Sequence, residues 1–196
     1  MAQPAMKTGM TLDQFLVWQE TRPDEKYEFY EGIAYAMTGA RNSHVVVSLN
    51  VASALKTRLR GRPCRVYGPD VNFRIELDNQ NDALFHPDVS VSCDPADHAA
   101  SDGIRRPIVV VEVLSDSTAA YDLGKKFRAY RQAESLREVV FIDPESRRVD
   151  LYRIREDGHW VLYDFTGLAD VEFASLGLVL PSAEIFEDID SITGAA

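Results

Sequence analysis

Pro107-Ile108-Val109-Val110-Val111-Glu112-Val113-Leu114 carries one charged residue in an otherwise apolar run. Its β-branched residues favour a strand, and the absence of polar alternation predicts a strand buried on both faces. Glu112 then stands near the end of a buried strand. A carboxylate there is costly to desolvate unless a cation or hydrogen bonds compensate it. A second β-branched run, Asp88-Val89-Ser90-Val91-Ser92-Cys93, opens on an acid preceded by Pro87. Strands over 88–93 and 108–114 would put Asp88 and Glu112 on neighbouring strands.

The next segment is expected to be a helix from Ser117 or Thr118 to about Glu134. Leu123, Phe127 and Tyr130 share one stripe of it, and Asp122, Lys126 and Tyr130 form an adjoining row. Lys126 therefore borders the buried face, whereas Lys125 points to the surface. Two acids met by a lysine from the following helix make an oxygen-ligand site for a divalent cation. Such a site suits metal-assisted hydrolysis of a phosphodiester.

Further out, Thr11 caps a helix over Leu12–Glu20 that Pro23 ends. Tyr27–Tyr30 and Ile33–Met37 read as a hairpin turning at Glu31-Gly32. A long helix is expected from Ser43 to Arg60, with Val46, Leu49, Ala52 (or Ser53) and Leu55 as its apolar stripe. Arg65–Tyr67, Val71–Leu77, Val139–Ile142, Arg148–Arg153 and His159–Tyr163 are further strands. Residues 78–82 read as a polar loop and 94–106 as a longer one. No repeat or linker divides the chain, which reads as one α/β domain.

Hydrophobic residues make up 45% and charged residues 27% of 196 residues, an ordinary balance for a soluble globular protein. No stretch is long and apolar enough for a membrane span, and Met1–Met10 lacks the apolar segment of a secretory signal. Cys64 and Cys93 form no Cys-x-x-Cys pair, and the expectation is two separate packing thiols in a reducing cytoplasm. The four histidines show no zinc spacing. A net charge of −10 argues against nonspecific coating of nucleic acid, since phosphate attraction supplies most of such binding. Local positive tracks remain at Lys56–Arg65 and Lys125–Arg131.

Taken in order, Tyr27-Glu28-Phe29, Ala36-Met37, His44 opening the long helix, Pro87-Asp88-Val89, Glu112-Val113-Leu114-Ser115, Asp122…Lys126…Tyr130 and Val140-Phe141-Ile142-Asp143-Pro144 resemble the Uma-type family of bacterial restriction-endonuclease-like proteins, within the PD-(D/E)xK nuclease superfamily. The resemblance spans about 11–187, the core of a single nuclease domain over 1–196. It implies an α+β fold with a mixed central sheet flanked by helices. It also implies Asp88 and Glu112 as metal-binding acids and Glu28 as an additional acid. The superfamily's lysine two residues after the second acid is absent, Leu114 standing there, and Lys126 is the migrated replacement. Magnesium is the favoured cofactor and manganese the alternative, held by Asp88, Glu112 and the Val113 carbonyl. DNA is the implied substrate and a cytoplasmic homodimer the expected state, because duplex cleavage needs two centres.

Blander readings accompany each residue. Asp88 would serve in a turn after proline, Glu112 would pair with Arg105 or Arg128, and Glu28 would be a hairpin charge. Lys126 would bridge Asp122 at i, i+4, and Tyr130 would be core. His44 is a helix cap, a phosphate contact or a structural residue. Two functional alternatives follow: a catalytically weak nucleic-acid-binding or defence module, and a structural protein whose acids only make ion pairs.

Overall fold

Thr11 closes a capping box. Its hydroxyl accepts from Gln14 N–H at 3.3 Å, and Gln14 Oε1 accepts from Thr11 N–H at 3.0 Å, so the first helix occupies Leu12–Glu20 as expected. The structure is a computed structural model that describes residues 5–37, 39–77, 82–167 and 169–190. Of the polar loop expected at 78–82, residues 78–81 lie outside the described residues.

The strands are β1 (Ala5–Thr8), β2 (Tyr27–Tyr30), β3 (Ile33–Ala36), β4 (Arg65–Tyr67), β5 (Phe73–Ile75), β6 (Ala83–Phe85), β7 (Val89–Ser92), β8 (Val109–Val113), β9 (Glu138–Asp143), β10 (Arg148–Ile154), β11 (Trp160–Asp164), β12 (Val171–Phe173) and β13 (Leu178–Leu180). The β2–β3 hairpin turns at Glu31 and Gly32, both at positive φ (51° and 74°), the backbone that a two-residue hairpin turn of matching twist requires. β1, β6, β12 and β13 are too short for periodicity to reveal them, and neighbours in the sheets decide their state.

The larger sheet runs β11-β10-β9-β8-β7-β4, with β8 and β9 parallel and the other pairs antiparallel. The second sheet is antiparallel, in the order β1-β3-β2-β6-β5. β8 sits inside the larger sheet and is buried at all five positions, as the unbroken valine run predicts. Its residues divide by parity. Val109, Val111 and Val113 join a core beneath the long helix Asn42–Arg58. Val110 and Leu114 join an aromatic core with Phe73, Phe85, Tyr121, Tyr130 and Phe141 on the opposite face. Glu112 shares that second parity.

Three expectations are corrected. The long helix buries Val47, Val51, Ala54 and Leu55, with Val46 and Ala52 packed partly buried against the same core, while Leu49 is 65% exposed and falls outside the stripe expected of it. Valines on several sides of that helix make the stripe ambiguous until the sheet selects a face. The helix after β8 is shorter than expected and broken in type: α-helical over Ala119–Tyr121, π-helical over Asp122–Lys126, and α-helical again over Phe127–Tyr130. Cys64 and Cys93 form a disulfide. Antiparallel pairing of β4 with β7 sets Arg65 across from Ser92, and continuing that register by one residue brings the two cysteines face to face. Their Cα atoms are 3.9 Å apart. A separation of 29 residues leaves no local sign of that meeting.

Among the described residues no helix is long and apolar enough to cross a membrane.

Candidate functional site

β7 and β8 pair Val89 with Val111. Continuing one step places Asp88 opposite Glu112, and directly opposed residues of an antiparallel pair project to the same face. Asp88 is anchored there: its Oδ2 accepts the Val113 N–H at 2.7 Å and lies 3.2 Å from His44 Nε2. β2 brings Glu28 to the same place. Its Oε1 accepts the backbone N–H of His86 at 3.0 Å.

Lys126 reaches Glu28 and Glu112 from the π-helical turn. Its Nζ lies 2.8 Å from Glu28 Oε1, 2.9 Å from Glu112 Oε1 and 3.7 Å from Asp122 Oδ1. The Asp122 pairing is thus the weakest of the three, and neither Arg105 nor Arg128 is the partner of Glu112. Tyr130 donates its hydroxyl to Glu112 Oε1 at 2.5 Å, while its ring packs on Phe73 and Phe85. Asp122, Lys126 and Tyr130 are the buried row of this segment, and Leu123 and Phe127 are only half-buried. Lys125 is exposed and bonds the Tyr35 hydroxyl at 3.0 Å.

The electrostatics follow from burial. Desolvation pushes the Glu112 carboxyl well above the usual carboxylate range; Lys126 pulls it down, and Asp122, Asp88 and Glu28 add to the rise. Burial works against the Lys126 charge, yet Glu112 and Glu28 hold its pKa well above the ordinary lysine value. Asp122 is raised to about 6 by burial, against the pull of Lys126. For His44, burial is outweighed by the hydrogen bond and charge of Asp88, and the imidazole pKa rises. His86 falls to about 3, through burial first and then Lys26 and Lys126, and stays neutral.

Glu28, Asp88, Glu112, Val113, Asp122 and Lys126 all line one cavity of about 600 Å³, with His44 and His86. The candidate residues Glu28, Asp88, Glu112, Val113 and Lys126 thus share one cavity wall. The contacts of His44 with Asp88 and of Tyr130 with Glu112 had no local signature, and neither did the presence of His86 in the wall. His44 does not cap its helix; Arg41 holds the cap position, and its side chain bonds Asp116 instead of the helix's first N–H groups.

Five carboxyl groups line this cavity; Asp116 is paired with Arg41, and the other four share one ammonium. Their oxygen-only chemistry and surplus negative charge fit a hard divalent cation. Among the described residues no three His, Cys, Asp or Glu side chains cluster as a ready-made metal cage. Two carboxylates without a cage are the usual provision for Mg²⁺, which keeps several waters and takes other oxygens from substrate phosphate.

These features define a mixed α+β protein of nuclease-like fold. A solved structure described as a "putative nuclease belonging to DUF820" from Anabaena variabilis superposes with a TM-score of 0.73 at 20% identity, covering 92% of this chain and 99% of that one. The chain belongs to the Uma2 family, described as "Putative restriction endonuclease", which matches residues 12–187. Two Synechocystis proteins are similar over most of their length. Uncharacterized protein slr1290 is 37% identical across 85% of each chain, and uncharacterized protein sll1609 is 28% identical across 80% of this chain and 88% of its own.

Proposed function

We propose that this chain is a metal-dependent DNA endonuclease that hydrolyses phosphodiester bonds at the Asp88–Glu112–Lys126 cluster. The observation that carries the reading is Lys126, whose buried ammonium lies within 3 Å of both Glu112 and Glu28 on the wall that Asp88 also lines. Asp88 and Glu112, with the Val113 carbonyl, would hold Mg²⁺ or, alternatively, Mn²⁺. When bound, such an ion supplies Lewis-acid stabilisation of phosphoryl charge and makes water more acidic. Lys126 holds a fixed positive charge where negative charge grows on the phosphoryl oxygens, and it orients the attacking water. Tyr130 holds Glu112 from the aromatic core, and Glu28, the additional acid, pairs with Lys126 on the cavity wall, so neither group has to reorganise as the reaction proceeds. Family membership and the nuclease-like fold support the same reading.

A second reading, a nucleic-acid-binding module that cleaves weakly, draws on two facts. Lys126 is already engaged in close ion pairs, and the chain carries 31 acidic against 21 basic residues. Nicking of supercoiled plasmid in magnesium or manganese separates the two. Asp88→Asn and Glu112→Gln are expected to abolish nicking, because each removes a charged oxygen ligand while keeping shape. Lys126→Ala should cost roughly 10²–10⁴-fold, as for loss of a preorganised charge-stabilising group. Lys125→Ala should change little. Equal losses for both lysines would move the site, and wild-type protein inert on every DNA form would leave the binding module.

A further inference from the structure

The cavity has a second wall that the chemistry above does not use. Val45, Leu49 and Ala52 follow one another at i, i+4 and i+7 along the outer side of the long helix and line it, facing the cavity beside Ser48. Val45 is 52% and Leu49 65% exposed, whereas Val47 and Val51 of the same helix are fully buried. Pro69, just beyond β4, lines the cavity as well. An apolar trough therefore leads directly to the carboxylates and the ammonium. Its volume of about 600 Å³ lies in the range of sites that enclose a small organic group.

We propose that this trough receives an unpaired nucleotide, its base against Leu49 and Val45 and its phosphate toward Lys126, so that the preferred substrate is single-stranded or locally unpaired nucleic acid. The inference rests on the nuclease reading for its substrate class. A paired base within a duplex has both faces covered by stacking and its edge covered by its partner, and it cannot lay a face along the trough wall without being extruded. An unpaired base offers a free face, and apolar contact with that face is indifferent to sequence. Charge points the same way. Duplex binding draws on many phosphate contacts, which a chain of net charge −10 supports poorly, while one base packed on the trough wall contributes affinity that does not depend on net charge. An unpaired substrate also needs one centre per cut, so pairing of two chains is not required for it.

The test uses the full chain, magnesium, and a short phosphorothioate oligonucleotide that resists cleavage. The oligonucleotide carries one 2-aminopurine and is offered single-stranded and as a blunt duplex. Anisotropy is expected to show at least tenfold tighter binding of the single strand, and the 2-aminopurine should become shielded from acrylamide quenching. Leu49→Gln should weaken single-strand binding by roughly tenfold and remove the shielding, since an apolar side chain buried by the base is replaced by a polar one. Val17→Gln, at an equally exposed residue of the first helix, should leave both unchanged. Matching thermal melts would show that both variants fold. Equal affinity for duplex, an unaffected Leu49→Gln, or no binding of either form overturns the proposal. Plasmid nicking alongside such a result would leave the nuclease reading standing. Single-strand preference with Leu49-dependent shielding but no cleavage of any DNA would uphold the trough and sink the nuclease.

Discussion

Glu112 illustrates what one residue's surroundings decide. As a letter in a valine run it is an isolated acid at a strand end; in the fold it faces Lys126, Tyr130, Asp88 and Glu28 across two sheets and a helical turn. Asp122 plays a different part. Its pKa rises from the ordinary 3.8 to about 6, chiefly through burial, so the folded state binds this proton more tightly than the unfolded state. Whatever stability that proton confers is fully present below pH 4 and is lost as pH rises through about 6. At pH 7 the buried charge is a burden. Asp122→Asn is therefore expected to stabilise the fold at pH 7 by ~1–3 kcal/mol, the gain fading toward pH 4. Thermal melts of both proteins between pH 4 and 8 measure this, and a gain that does not depend on pH would assign the effect to something other than titration.

At the scale of elements, two ties hold segments that no periodicity predicts. Glu138, at the start of β9, is wholly buried. Its carboxylate bonds Arg153 Nε at 2.7 Å, the N–H groups of Ala174 and Ser175 at 3.0 and 3.3 Å, and the Ser175 hydroxyl at 2.5 Å. It thereby pins the turn between β12 and β13 to the larger sheet. Glu138→Ala would leave two buried backbone donors unmet and leave Arg153 with Glu172 as its remaining partner, and is expected to cost ~2–4 kcal/mol. Glu138→Gln should cost less, and urea titration ranks them. The second tie is the Cys64–Cys93 disulfide, which joins edge strand β4 to β7 just upstream of the cavity-lining Pro69. Replacing both cysteines by serine should lower stability by ~3–4 kcal/mol on loop-closure grounds for a closed loop of this length. A non-reducing peptide map should show the linked pair in the unaltered chain.

For the whole molecule, the proposed cation site would link folding to cation binding. An ion held by Asp88 and Glu112 only when the chain is folded stabilises it by mass action, by ~2.7 kcal/mol at a hundredfold excess over Kd. Melting temperature should therefore rise by several degrees with saturating Mg²⁺ or Mn²⁺. Asp88→Asn/Glu112→Gln should abolish that rise. An unchanged melt in both metals would count against a cation site.

The valine run around Glu112, the Thr11 cap and the Glu31-Gly32 turn determined their elements locally, because burial on both faces, capping chemistry and positive φ each leave a mark in adjacent residues. The candidate residues were legible for a related reason: an acid in an apolar strand and a lysine on a buried helical row are costly and therefore conspicuous. Pairing was not legible. Register across β4 and β7 joined the cysteines, the Lys126 ammonium chose Glu28 and Glu112 over Asp122, and the sheet turned the long helix so that Leu49 faces a cavity. Each of those outcomes depends on residues tens of positions apart meeting at angstrom distances, and only the packed chain sets such distances.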